Sequence, residues 1–440
     1  MSDKVAPEMI RFVTSIFLLL HFGFSSMAIA ESIQDYNLNI SYSYGMNQLT
    51  PSLISNSNLD FDRDEMYSDF WIQGGFKISD RISFAGALEL TDQPHTLIGT
   101  KFSRPDFPLS TGRFQQSVVK YANDKLTFQA GRDDMLGNPL RPTMFKYPLY
   151  ADGIGWDYAW HRWIFRHVYQ VLPAEKQANE TFRRSVSYHH LSRVFSSFSI
   201  GAGEYFILTG DNLGVDFKRL NPFLPYSLNS HDSETDYYPG FSNDSDNSLI
   251  KLFFNWEKRS NKISLNLYID EFQIDAYDRE LYSDAMLFSL SAENEINALG
   301  QNNLLKWGFS FANPNFGQHN GPFTTPTIGA YPLFEYTPGM KNLFYFDATL
   351  FTDKSYQLSL SGYSEKWVHI AQLSPDLMNQ RIELDNLDFY SDYRLSVGVN
   401  YKLQQLPLKL GIVAWAGSEE EHSSGVSLYF LYDAKRLLTP

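Results

Sequence analysis

Tyr36-Asn37-Leu38-Asn39-Ile40-Ser41-Tyr42-Ser43-Tyr44 alternates strictly between large apolar or aromatic residues and small polar ones. The same alternation returns far downstream. Ile263, Leu265, Leu267 and Ile269 interleave with Lys262, Ser264, Asn266 and Tyr268. Leu395, Val397, Val399 and Tyr401 interleave with Arg394, Ser396, Gly398 and Asn400. A strand turns successive side chains to opposite faces, so period two places one set on each face of a sheet. Repeated over hundreds of residues in an exported chain with no apolar helix, the pattern predicts an all-β fold. The specific expectation is a single antiparallel transmembrane β-barrel with its apolar set toward lipid and its polar set toward the lumen.

Export is read from the N-terminal segment. Lys4 and Arg11 precede a mostly apolar run from Phe12 to Phe24, and Ala28-Ile29-Ala30 offers a small-x-small cleavage site before Glu31. Residues 1–30 are expected to be a signal peptide and 31–440 the barrel. No later segment approaches the ~20 apolar residues of a membrane helix. A mean hydropathy of -0.31 is no obstacle to a barrel, in which half of each strand is polar. Aromatic residues form 16% of the chain, enough to supply belts at two membrane interfaces. The net charge of -14 argues against nucleic acid as a partner. With no cysteine, disulfides and thiolate sites are excluded.

Short connections alternate with long polar ones. The short ones lie near Ser79-Asp80, Asn123-Asp124, Ser196-Ser197, Lys258 to Asn261, Thr352 to Ser355 and Gln404 to Pro407. The long ones span Asn47–Met66, Thr91–Gly112, Asp133–Asp152, Thr209–Ser248, Gln273–Asn302 and Ser364–Ser391. Short periplasmic turns and long extracellular loops are the asymmetry of outer-membrane barrels. Keeping the phase requires one rising strand between Phe311 and Leu343, for which Thr327 to Tyr336 is the candidate, and the count becomes about 18. Gly425 to Tyr432 is read as the closing strand. A helix at Asp284 to Leu299 is compatible with composition, although its periodicity is poor.

No motif for catalysis is visible: there is no nucleophile elbow, phosphate loop or His-Glu-x-x-His site. That argues against a hydrolase or acyltransferase. His189-His190 is adjacent in a strand, so one ring should face the lumen and one outward. Asp232, Glu234, Asp236, Asp244 and Asp246 lie in the loop His231 to Asn247, whose spacing is not that of an EF-hand. It reads as a solvated acidic loop, and no metal or cofactor is assigned. Glu204 falls in the apolar phase of Phe198, Ile200 and Ala202. A carboxylate against lipid is unfavourable, so a bulge at Gly201 to Gly203 is expected to turn it inward. Arg132, Arg193 and Arg219 are its candidate partners. Asp270-Glu271 and Arg183-Arg184 are expected to pair across the lumen and narrow it. The stiff run Asn221-Pro222-Phe223-Leu224-Pro225-Tyr226 suggests that the longest loop folds into or over the mouth.

The stretch Arg193 to Gln273 resembles the capsule-assembly proteins of the Wzi family. It is carried by Phe198-Ser199-Ile200-Gly201-Ala202-Gly203-Glu204, Leu220 to Tyr226, Asp246-Asn247-Ser248-Leu249 and Tyr268-Ile269-Asp270-Glu271-Phe272. Upstream, Ala130-Gly131-Arg132-Asp133 resembles the strand of that family that ends in Gly-Arg. The resemblance implies a non-enzymatic barrel in the outer membrane of a Gram-negative-type bacterium, in contact with lipopolysaccharide. It would assist assembly or surface attachment of capsular polysaccharide or exopolysaccharide. The alternative is a porin-like diffusion channel for small sugars or anions. Candidates for polysaccharide binding or a lumen network are Arg132, Asp133, Arg193, Glu204, Asn221, Tyr237, Tyr238, Asp270 and Glu271. N-terminal sequencing of the protein from membrane fractions should begin at Glu31; a retained Met1 would remove the basis for export.

Overall fold

In the computed structural model the described residues are 35–45, 67–91, 102–103, 111–136, 151–177, 180–210, 246–271, 285–298, 300–313, 316, 327–328, 331–332, 339–351, 355–368, 387–402, 408–417 and 424–433. Every regular element among them is a strand. The first third contains β1 (Asp35–Gly45), β2 (Tyr67–Lys77), β3 (Ile82–Thr91), β4 (Phe102–Ser103), β5 (Thr111–Ala122), β6 (Leu126–Asp133) and β7 (Ala151–Trp160). Then come β8 (Trp163–Gln177), β9 (Glu180–Val194), β10 (Phe198–Gly210), β11 (Asp246–Lys258), β12 (Asn261–Glu271), β13 (Ala285–Ala298) and β14 (Gln301–Ala312). The remainder is β15 (Thr327–Ile328), β16 (Tyr331–Pro332), β17 (Met340–Leu350), β18 (Tyr356–Val368), β19 (Phe389–Lys402), β20 (Leu408–Gly417) and β21 (Ser424–Asp433).

Nineteen strands form one sheet, and all its pairings are antiparallel. The last strand returns to the first: β21 pairs β1 from Asn39 opposite Asp433 to Tyr44 opposite Leu428. β4 adds only two residues beside the start of β5, which leaves eighteen strands in the closed ring. The expected count and the closing strand are therefore observed. One end of the ring carries connections of two to five residues, including the two-residue turns His161-Arg162 and Arg259-Ser260. His161 and Arg259 take left-handed φ values of 54° and 57° there, the backbone sense that tight hairpins need. At Asn123 the side-chain oxygen accepts from the amides of Lys125 (2.9 Å) and Leu126 (2.8 Å), which fixes that turn. Most connections at the opposite end are long.

Two expectations are corrected. Asp284 to Leu299 is not helical; β13 occupies it. Its first residues, Ala285-Met286-Leu287-Phe288, are apolar in both phases because Leu287 packs inside while Phe288 faces out, so the period of two is masked at the sequence level. Thr327 to Tyr336 does not supply a ring strand. Its described part makes only the two-residue pairs β15 and β16 in a separate small sheet, and β14 pairs directly with β17. β13 is the strand that keeps the phase, and the ring has eighteen strands with it in place of Thr327 to Tyr336.

Exposure follows the alternation. Leu395, Val397 and Val399 are half-exposed, as are Leu410 and Ile412 across the pairing, whereas Asn400 and Asp392 in the opposite phase are buried. Phe309, Phe311 and Phe344 continue the outward apolar surface on β14 and β17. A substitution pair should separate the faces. Val397→Arg places a charge on the lipid-facing surface and should destabilise the barrel by about 2–4 kcal/mol in vesicle unfolding. Ser396→Arg, one residue away on the inner face, should change it little.

Candidate functional site

The inner wall is the surface on which a ligand could be held, and its residues come from the polar phase of each strand. Its lower part, toward the short turns, is hydrophilic. Lys262 Nζ and Lys306 Nζ reach the two oxygens of Glu293 at 3.3 and 3.0 Å, linking β12, β13 and β14. One row higher, Ser264 donates to Asn255 at 2.7 Å, and Asn266 donates to Ser289 at 3.3 Å. Nearer the long connections, on β18 and β19, the Tyr363 hydroxyl donates to buried Asp392 at 2.9 Å.

Toward the long connections much of the wall becomes apolar, beside buried charged side chains such as Arg184 and Glu365. An unbroken cluster of buried side chains crosses ten neighbouring strands from β7 to β18, among them Val168, Val186, Ile207, Leu249, Leu287 and Leu343. Tyr188 and Tyr205 stack with ring centroids 4.0 Å apart, and Tyr268 follows at 6.3 Å from Tyr205. His190 Nδ1 lies 2.8 Å from the Tyr188 hydroxyl. Lys251 Nζ sits 5.1 Å from the Tyr268 ring and 5.5 Å from the Phe253 ring. Water in the lumen would normally reach inward side chains of so wide a barrel. Here Met135 and Phe316, from two long connections, are buried in the same cluster.

Polar groups hold these segments down. Arg166 donates to the Met135 carbonyl at 2.7 Å, and the Gln170 amide donates to the Asp133 carbonyl at 2.7 Å. The Asp133 carboxylate receives the Gln116 amide at 2.7 Å and the Lys120 ammonium at 2.6 Å. Gln115 donates to Glu89 nearby. Two residues earlier, Gly131 has φ +122°, and a Cβ there would lie 2.2 Å from the Ser117 carbonyl oxygen. The Gly-Arg-Asp end of β6 therefore depends on glycine for close strand approach.

The sequence-derived candidates do not converge. Asp133 faces the lumen and anchors the segment that follows β6. Asp270 is half-buried at a bulge between Ile269 and Glu271 that ends β12. Asn221, Tyr237, Tyr238 and Arg219 lie outside the described residues, as does the His231 to Asn247 loop. Arg132, Arg193 and Glu204 lie in the outward phase. Arg132 makes a two-pronged pair with Asp152, 2.9 and 2.6 Å, and also donates to the Phe114 carbonyl. Arg193 lies over Trp163 at 5.5 Å and Phe195 at 5.3 Å, in the aromatic belt next to the short turns.

Glu204 is the clearest correction. Its register is unbroken on both sides, opposite His189 on β9 and Ile250 on β11. It shares the phase of Ile200, Leu191 and Leu252, which are all exposed. Gly201 and Gly203 are present for room rather than for a bulge. A Cβ on Gly201 would meet the Phe253 ring at 2.4 Å, and one on Gly203 would meet His190 Cβ at 2.6 Å. Glu204 is itself buried, with its carboxylate 3.6 Å from His189 Nε2. His189 and His190 take opposite faces, as adjacency in a strand requires. Among the described residues, charges on the inner wall pair between neighbouring strands, as Glu293 does with Lys262 and Lys306. Side chains cannot span a ring of eighteen strands, but neighbouring strands bring partners within reach.

Sequence reasoning missed Gln116, Lys120, Arg166, Gln170, Tyr188 and Tyr205. A signal was available for the tyrosines, which sit in the polar phase of their strands as Tyr268 does. Asp133→Ala should lower the stability of the folded barrel by about 1–3 kcal/mol, since Gln116 loses a buried acceptor. Asp133→Asn should recover part of that loss. Both are measured by the temperature at which heat-resistant gel mobility disappears.

No family model matches the chain, and no curated protein matches it. Among solved structures it is similar to Wzi, an outer-membrane protein involved in group 1 capsule assembly in Escherichia coli and described as a carbohydrate-binding β-barrel. That match has 9% identity, covers 92% of this chain and 85% of the other, and has a TM-score of 0.49. It is also similar to Pseudomonas putida OprB, with 10% identity, coverage of 94% and 97%, and a TM-score of 0.46. A third is Acinetobacter baumannii OccAB4, with 11% identity, coverage of 90% and 97%, and a TM-score of 0.47.

Proposed function

We propose that this chain is a non-enzymatic outer-membrane barrel that assists assembly or surface attachment of capsular polysaccharide or exopolysaccharide. The observation that carries the reading is the buried apolar cluster on the upper inner wall. Met135 and Phe316 reach it from two long connections and pack on the inner wall, each only 1% exposed. A diffusion pore needs a continuous aqueous path, whereas a surface binder needs its connections held in fixed positions. Arg166, Gln170 and Asp133 supply such anchoring on the β6–β8 side. The resemblance of Arg193 to Gln273 to capsule-assembly proteins agrees with this reading. Export with cleavage after Ala30, and localisation to the outer membrane, are parts of the same proposal.

The second reading, a channel for small sugars or anions, is favoured by the hydrophilic lower wall around Lys262, Glu293 and Lys306. Two measurements separate them. Deleting the gene product should release surface polysaccharide into the medium, and the purified barrel in planar bilayers should show little steady conductance. Excising residues 313–326, which removes Phe316, should raise that conductance. Retained polysaccharide together with a large steady conductance of the intact protein would establish the channel instead.

A further inference from the structure

On the outer face, at the end of the ring with the long connections, two lysines converge on one aromatic ring. Lys341 Nζ lies 4.6 Å from the Phe389 centroid, and Lys366 Nζ lies 5.2 Å from it. Phe389 shares the phase of Tyr393 and Leu395, which are exposed on the lipid side. Lys366 lies opposite Ser391 in the same phase. Lys341 reaches the ring because β17 is irregular there: the register with β18 shifts between Met340 and Asn342, leaving Lys341 as the extra residue. A bulge re-aims the side chain it carries, so the chain departs from regular pairing where this ammonium is presented.

Neither lysine has a carboxylate partner among the described residues; each makes only its contact with the ring. The nearest acidic side chains on the paired strands, Glu365 and Asp392, are buried in the opposite, lumen-facing phase. Asp388 is exposed beside Phe389 in sequence and has an interaction of its own. Directly toward the membrane lie Phe311, Phe344 and Tyr393, all exposed on the outer face. Two cations without a carboxylate partner among the described residues, above an apolar aromatic surface, match an amphiphile with an anionic head and acyl chains.

We infer that Lys341, Lys366 and Phe389 bind the phosphate of a phosphorylated glycolipid in the leaflet facing the long connections, with its acyl chains along Phe311, Phe344 and Tyr393. The chemistry recognised is a phosphate monoester. Cations held over a ring remain available as donors, because a ring contact satisfies none of their N–H groups. This inference uses the orientation of the proposed outer-membrane barrel but is independent of polysaccharide attachment.

The test uses the full barrel in detergent micelles, titrated with lipid A, with enzymatically dephosphorylated lipid A and with inorganic phosphate. Lipid A should bind saturably. The Lys341→Ala/Lys366→Ala double variant should bind it roughly 30-fold more weakly, from loss of two headgroup contacts. Lys341→Arg/Lys366→Arg should retain binding, and dephosphorylated lipid A should resemble the Ala variant. Heat-resistant gel mobility confirms that each variant is folded, and an unchanged polysaccharide interaction in the Ala variant would separate this site from the proposed function. Equal binding of lipid A by wild type and the folded Ala variant would overturn the inference. So would inorganic phosphate binding as tightly as lipid A, which would make the site one for a free anion.

Discussion

A strand inside a bilayer has no water for its backbone, so every amide and carbonyl must find a partner in a neighbouring strand. The pairing of β21 with β1 is the contact on which the rest depends. Without it, two long strands would expose unpaired edges in an environment where each unmatched group costs several kcal/mol. Closing a sheet with antiparallel neighbours throughout requires an even number of strands, and the ring has eighteen. It also forces every side chain onto one of two surfaces, and that division organises everything else in the molecule.

On the inner surface the consequence is a wall too wide for charges to meet across it. Neighbouring strands pair them instead, as Glu293 does with Lys262 and Lys306, and Asp133 with Lys120. The exceptions to a polar wall are informative. Where Tyr188, Tyr205, Tyr268, Val186, Ile207 and Leu249 turn inward, they would be exposed to lumen water unless something covered them. Met135 and Phe316 are part of that cover. The gathering of apolar residues on the inner face and the burial of Met135 and Phe316 against them are two sides of one hydrophobic effect.

On the outer surface the division is less strict than the strand pattern suggests. Arg132 is matched by Asp152 and Glu204 lies against His189, so polar groups in the lipid-facing phase occur with polar neighbours. Arg193 lies against Trp163 and Phe195 near the short turns, and Lys341 and Lys366 against Phe389 at the other end. The two aromatic belts thus each hold cations, where amphipathic rings meet lipid headgroups.

Much of this was determined by the sequence alone, because period two is a local property. Tyr36–Tyr44, Lys262–Ile269 and Arg394–Tyr401 reveal strand, face and barrel without reference to any partner. The turns at Ser79-Asp80, Asn123-Asp124 and Ser196-Ser197 mark the hairpins by their own chemistry. What only the tertiary structure decided is what lies opposite. β13 was obscured because Leu287 answers to Ala312 and to the core, not to its neighbours in the chain. Glu204 was misassigned because Gly201 and Gly203 signal a bulge in isolation, while in the sheet they make room for Phe253 and His190. Candidate site residues scattered along the chain were sorted into lumen and lipid faces only by register. Register is a relation between strands, and no single strand contains it.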